Sequence, residues 1–185
     1  MNVVDEYVIN VNTSAILNEY DEAGALCALV LEGNKIVKVK MSPLSVIERS
    51  IEYYGNGLQG AIKGARNALG NISMPPVMIC GKLGIYWFPS KSITHDDCVW
   101  FSIDHIEDYY SLSNKGLKVI FRDGTDITID SNYSRFDNKV NRARKLQYIM
   151  ENRTNGKQRN PYSQMKNFMI VRDPARKHYS VDSGE

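Results

Sequence analysis

Two sets of side chains in this chain have types and spacings that could do chemistry. The first is His95, Asp96, Asp97 and Cys98, with His105 seven residues further on. Imidazole, thiol and carboxylate in so short a stretch are the ligand types of a zinc site, or the parts of a Cys–His nucleophile. Neither histidine has a partner four residues away. The two aspartates sit where a turn would precede the strand at Val99, and nothing adjacent supplies an oxyanion hole or a third orienting group. This set reads as turn and core. No P-loop, dinucleotide fingerprint or G-x-S-x-G elbow is present, so the reading is of a non-enzyme that needs no cofactor or metal.

The second set is Asn56, Gln59, Lys63 and Arg66, interleaved with Gly55, Gly57, Gly60, Gly64 and Gly70. Amide and cationic side chains are types that can meet a negatively charged, acceptor-lined surface such as a nucleic-acid groove. Glycines would let the backbone approach such a groove closely. Arg49, shortly before, fits the same role or equally pins the turn through a salt bridge. A third group, Arg135, Lys139, Arg142 and Lys145, suits phosphate contacts that supply affinity without sequence information. Each group also reads as ordinary solvated surface.

Net charge is +2, but the charges are segregated. Residues 1–34 hold six acids and no Lys or Arg, and residues 35–91 eight bases against two acids. Residues 92–131 hold three bases against eight acids, and residues 132–179 twelve bases against three acids. Should the two basic segments share a face, they form the positive footprint of a nucleic-acid binder; otherwise they neutralise the acidic ones in space. The three cysteines are far apart and form no CxxC pair, which suits reduced core thiols. No apolar run approaches the roughly 20 residues of a membrane span, and the start MNVVDEYVIN lacks the positive charge of a signal peptide. A cytoplasmic protein with no membrane partner is expected.

The elements that must position these groups are short. Tyr7 to Asp21 reads as two strands around Asn10–Val11–Asn12, and Leu26–Leu31 with Lys35–Met41 as a hairpin turning at Glu32–Gly33–Asn34. Ser42–Pro43 starts a helix running to Tyr54, with Leu44, Ile47, Ile51 and Tyr54 as its apolar stripe. The glycine-bearing stretch reads as a loop with some helical turn after Leu58, because an interior glycine costs about 1 kcal/mol relative to alanine in a helix. Strands follow at Val77–Cys80, Ile85–Phe88, Val99–Ser102 continuing to Tyr109, Leu117–Phe121 and Asp126–Ile129, with turns at Ser113–Gly116 and Arg122–Gly124. From Ser134 to about Arg153, Phe136, Val140, Ala143, Leu146 and Met150 recur at helical spacing.

Seven to nine short strands and two helices without alternation predict an α+β fold. Its expected form is an antiparallel sheet or partly open β-barrel, with a mid-chain helix, a glycine-rich loop and a long C-terminal amphipathic helix. Residues 1–153 form one DNA-binding domain in this reading, and 154–185 a flexible tail. Within that tail Phe168, Met169, Ile170 and Val171 make a short apolar peptide, offered to a partner protein or else packed back on the sheet as an extra edge.

The order MSPLSVIERSIEYYGNGLQGAIKGARNALGNISMPPVMI, then IYWFPS, then CVWFSIDHI, resembles the ComK family of competence transcription factors. The elements that carry it are the proline-initiated helix, Arg49–Ser50 before Tyr53–Tyr54–Gly55, Gly60 and Gly64, Ile72–Ser73, Pro75–Pro76, Phe88–Pro89 and Cys98 with Trp100. Tyr133, Phe136, Asn138, Val140, Arg142 and Leu146 continue it, as does Phe168–Met169–Ile170. The resemblance implies a cytoplasmic, nucleoid-associated activator of DNA-uptake genes. It would read paired A/T-rich boxes from the minor groove as a homo-oligomer, with RNA polymerase as a further possible partner. It also implies that the Phe168–Met169 peptide is recognised by the adaptor MecA and delivered to the ClpC–ClpP protease. Arg172–Asp173 depart from the Pro–Lys that ends the family's motif. A weaker similarity, of Val77–Met150 to the second half of pleckstrin-homology-like domains, implies a different function: binding an anionic lipid or a protein partner.

Overall fold

The computed structural model describes residues 2–113, 116–154, 169–173 and 178–182. Two units are compact within themselves, Met1–Glu151 and Asn152–Glu185.

In the first unit a seven-stranded sheet runs in the order β1 (Asn2–Val4), β4 (Lys35–Val39), β3 (Leu26–Glu32), β2 (Thr13–Tyr20), β7 (Trp100–Ser102), β6 (Ile85–Pro89) and β5 (Val77–Cys80). All its pairings are antiparallel except β1 with β4. A second sheet pairs β8 (Ile106–Ser111), β9 (Leu117–Phe121) and β10 (Asp126–Ile129). The helices are α1 (Pro43–Tyr53), α2 (Leu58–Leu69) and α3 (Tyr133–Thr154). The fold is the expected α+β one, with an open main sheet and no closed barrel.

Successive residues of a strand point to opposite faces, and this divides the core in two. Ile16, Ile85, Trp87 and Trp100 pack with Val46, Ile47 and Ile51 of α1 and Leu58 and Ala61 of α2. Their neighbours Ala15, Tyr86, Phe88 and Phe101 pack instead with Val119 and Phe121 of the second sheet and Phe136, Val140, Ala143 and Leu146 of α3. β6 is accordingly buried at every position, as a strand covered on both faces must be. Phe136 is the hub of the second layer, with ring centroids 5.6 Å from Phe88, 5.2 Å from Phe101 and 5.1 Å from Tyr109.

α1 begins as its sequence requires, with Ser42 Oγ accepting from the Ser45 amide at 3.1 Å and Pro43 in the first turn. It ends in a Schellman motif: Gly55, at φ +85°, donates to the Glu52 carbonyl at 2.9 Å, and Asn56 N–H donates to Ile51 at 3.0 Å.

Three expectations are corrected. The stretch read as a glycine-rich loop is helix α2. Only Gly60 and Gly64 lie in its interior, whereas Gly57 and Gly70 are its caps and Gly55 belongs to the end of α1. The cost of two interior glycines is offset by burial of Leu58, Ala61 and Ala65. Tyr7 to Asn10 is not a strand, because Ile9 makes its backbone bonds to side chains of α1 and its C-cap: its N–H to Ser50 Oγ at 2.9 Å and its carbonyl to Tyr54 O–H at 3.0 Å. The strand after Val99 does not continue to Tyr109. A 3-10 turn at Ile103–His105 breaks it and carries the chain from the first sheet into the second. In the second unit, part of the apolar peptide lies in a strand, β11 (Met169–Asp173), whose antiparallel partner is β12 (His178–Asp182). Phe168 lies outside the described residues, as do Asn114 and Lys115 of the expected Ser113–Gly116 turn.

Candidate nucleic-acid interface

Once α2 is a helix, the minor-groove candidates acquire a geometry. Gln59, Lys63 and Arg66 stand at intervals of four and three and therefore on one face, opposite buried Leu58, Ala61 and Ala65. All three are exposed, as is Asn67, four residues after Lys63. Arg66 Nε donates to the Ile72 carbonyl at 3.4 Å, which ties it to the chain leaving the helix. Gly60 and Gly64 border the same face. A β-carbon at Gly64 would meet nothing within 4 Å, and one at Gly60 would meet only the Asn56 Oδ1 at 3.1 Å. The outer surface of α2 thus has cationic and amide side chains beside a strip where bare backbone is the surface.

Asn56 is exposed, but its side chain is engaged locally, with Oδ1 accepting from the Gly57 amide at 2.9 Å at the entry to α2. Arg49, on the outer side of α1, pairs with Glu6 Oε2 at 2.8 Å, so its partner is the acidic N-terminal segment rather than the turn. Both members are well exposed, and such a pair contributes at most about 1 kcal/mol.

α3 treats its cations differently. Arg135 and Lys145 are exposed and Arg142 is half-buried, but Lys139 is buried in the middle of the apolar face. Its ammonium donates to the Pro89 carbonyl at 3.0 Å and lies 3.5 Å from Met74 Sδ. Burial holds its pKa below the ordinary lysine value. The spacing carried this signal: Lys139 is three residues after Phe136 and four before Ala143, within the stripe that Phe136, Val140 and Ala143 define.

The structure does not bring the His–Asp–Cys set together as a site. Cys98 is buried, and burial pushes its thiol up, the opposite of a reactive thiolate. Asp97 pairs with Lys91 at 2.5 Å, and His105 Nδ1 pairs with Ser102 Oγ at 2.9 Å. All three cysteines are free thiols. Among the described residues, no helix is long and apolar enough to cross a membrane. Of the tail candidates, Met169, Ile170 and Val171 lie in β11.

Comparison with known proteins adds a second line. The chain is 27% identical over 150 residues to the competence transcription factor of Bacillus subtilis (strain 168), a match that covers 81% of this chain and 78% of that one. No solved structure matches. The ComK protein family matches residues 4–155, a span that includes every strand of the two sheets of the first unit after β1, the cationic face of α2 and all of α3. The chain belongs to the ComK family.

Proposed function

We propose that this protein is a competence transcription factor that binds A/T-rich duplex DNA from the minor groove, with the outer face of α2 as its reading surface. The observation that carries this is the composition of that face: Gln59, Lys63, Arg66 and Asn67 beside the side-chain-free strip at Gly60 and Gly64. A full-width helix is too thick for a groove about 6 Å across. Two glycines thin α2 on one side, so that long cationic and amide side chains can enter while the backbone rides along the groove edge. Exposed arginine and lysine are favoured there because the potential deepens where A/T-rich sequence narrows the groove. Arg135, Arg142 and Lys145 of α3 would add phosphate contacts. Lys139, buried on a carbonyl, is withdrawn from that group.

In this reading the protein works in the cytoplasm at the nucleoid, as a homo-oligomer on paired boxes and with RNA polymerase as a possible contact. The segment Phe168–Val171 serves a MecA-like adaptor that delivers the chain to ClpC–ClpP. Residues 1–153 carry DNA binding and 154–185 carry turnover. Truncation after Asn160 is expected to spare fold and DNA binding while abolishing adaptor-dependent degradation.

The test is competition. An A/T-rich duplex should bind with an affinity that falls steeply with salt, and distamycin, which fills the minor groove, should displace the protein. Binding unchanged by distamycin, or preference for G/C-rich duplex, contradicts the reading. Sedimentation with anionic vesicles in place of DNA binding would favour a lipid-binding module.

A further inference from the structure

Away from the outer face of α2, a groove of about 1080 Å³ opens beside the start of α3, and Met74, Lys91, Asp130, Ser131, Arg135 and Lys139 are among its walls. Lys139 is unusual in it. The residue is 9% exposed, yet the hydrogen-bond partners of its ammonium are the Pro89 carbonyl and the Met74 thioether, with the Cys98 thiol and Arg142 near enough to act on it electrostatically. Among the described residues no carboxylate forms an ion pair with it. An ammonium has three protons to place, and burying one without a counter-ion is costly.

The rest of the groove leaves that charge uncompensated. Asp130, whose side chain is 92% exposed, is already 3.7 Å from Lys91, which also holds Asp97 at 2.5 Å. Arg135 forms no ion pair among the described residues. Asn132 Oδ1 caps the first turn of α3 by accepting from Ser134 at 3.0 Å and Arg135 at 3.4 Å, so the helix end itself offers little to a ligand. Met74, whose sulfur lies against the ammonium, is held at φ +49°, a backbone region that a residue before proline avoids. Strain of this kind persists where the surroundings enforce one geometry.

We propose that this groove binds the phosphate group of a small phosphorylated ligand, with the Lys139 ammonium as the buried cation, Arg135 as the second cation at the rim, and serine hydroxyls completing the shell. A phosphate presents several acceptors and a charge above one, which suits a recess holding two uncompensated cations and hydroxyl donors. A DNA backbone is the less suitable occupant, because it rides over exposed cations and Lys139 is nine-tenths buried. The proposal is independent of the DNA-binding reading of α2.

The probe is inorganic pyrophosphate titrated into the full-length protein at ionic strength matched with sodium chloride, followed by calorimetry and by backbone amide shifts. Saturable binding is expected, with shifts confined to Pro89–Ser92 and Ser131–Arg135. Lys139→Met should weaken it at least about tenfold, the loss typical of a hydrogen bond to a charged group, and Arg135→Gln by a smaller factor. Circular dichroism checks that each variant is folded; if Lys139→Met is not, Arg135→Gln and the wild-type amide shifts at Pro89–Ser92 carry the test. Unchanged affinity in the folded variants overturns the proposal, as do a response equalled by sodium chloride alone and shifts that map to α2. Loss of DNA binding in Lys139→Met with no pyrophosphate binding to wild type assigns the groove to duplex phosphate and overturns it equally.

Discussion

Helices α2 and α3 both carry cations at helical spacing, and they use them in opposite ways. α2 is anchored by small residues, Ala61 and Ala65 with Leu58, and keeps Lys63 and Arg66 on its outer face. α3 is anchored by Phe136, Val140 and Leu146 and draws Lys139 into that same apolar face. A count of positive charges would rank α3 as the better nucleic-acid surface. The comparison teaches that a cation's register against the apolar stripe decides what it can reach.

The largest effect should come from the anchor of α3. Phe136→Ala removes a ring packed against three others and should cost about 3–5 kcal/mol in urea unfolding. A loss near that of a surface residue would break the claim that α3 is held by its aromatic hub. Next comes Gly64→Ala in α2. The added methyl meets nothing within 4 Å, so helix propensity should raise stability by up to about 1 kcal/mol. If the bare strip lies against DNA, the same change should weaken binding. Greater stability with undiminished DNA affinity would separate the strip from the interface.

A pH profile sharpens the picture of the turn between the sheets. Burial holds His105 below the ordinary imidazole value, so the folded state binds fewer protons than the unfolded one in the window beneath about 6.5. Stability from this residue is full above that value and is lost as pH falls through the folded pKa. His105→Gln should flatten that part of the stability profile, read by urea midpoints across the window. The smallest effect expected is that of Arg49→Ala, which breaks the exposed pair with Glu6 and should change stability by no more than about 1 kcal/mol, with salt masking most of it.

Local signals are legible wherever one turn or cap decides the outcome. Ser42–Pro43 marks the start of α1, and Gly33–Asn34 the two-residue turn that sets Glu32 opposite Lys35. Long-range bonds are not legible. The residues that satisfy the backbone of Ile9 are 41 and 45 positions away, and no pattern around Tyr7–Asn10 points to them. α2 escapes a sequence reading for a different reason: its glycines look alike on the page, although glycine favours a helix boundary and disfavours only the interior. In the candidate site the residue types are readable, but their sharing of one face becomes so only once α2 is known to be helical. The inward turn of Lys139 is present in the spacing, and the expectation that a charge faces solvent hides it.

The central claim is that α2 reads and α3 holds. The most direct test measures the affinity of A/T-rich and G/C-rich duplexes across a salt series for wild type, for Lys63→Ala with Arg66→Ala, and for Arg142→Ala with Lys145→Ala. The α2 pair should lose A/T-rich affinity by about 1–3 kcal/mol per residue and close the gap between the two duplexes. The α3 pair should weaken both duplexes alike and reduce the salt slope by about one for each phosphate contact removed. An unchanged preference in the α2 variant, or a collapse of preference in the α3 variant, would contradict the account.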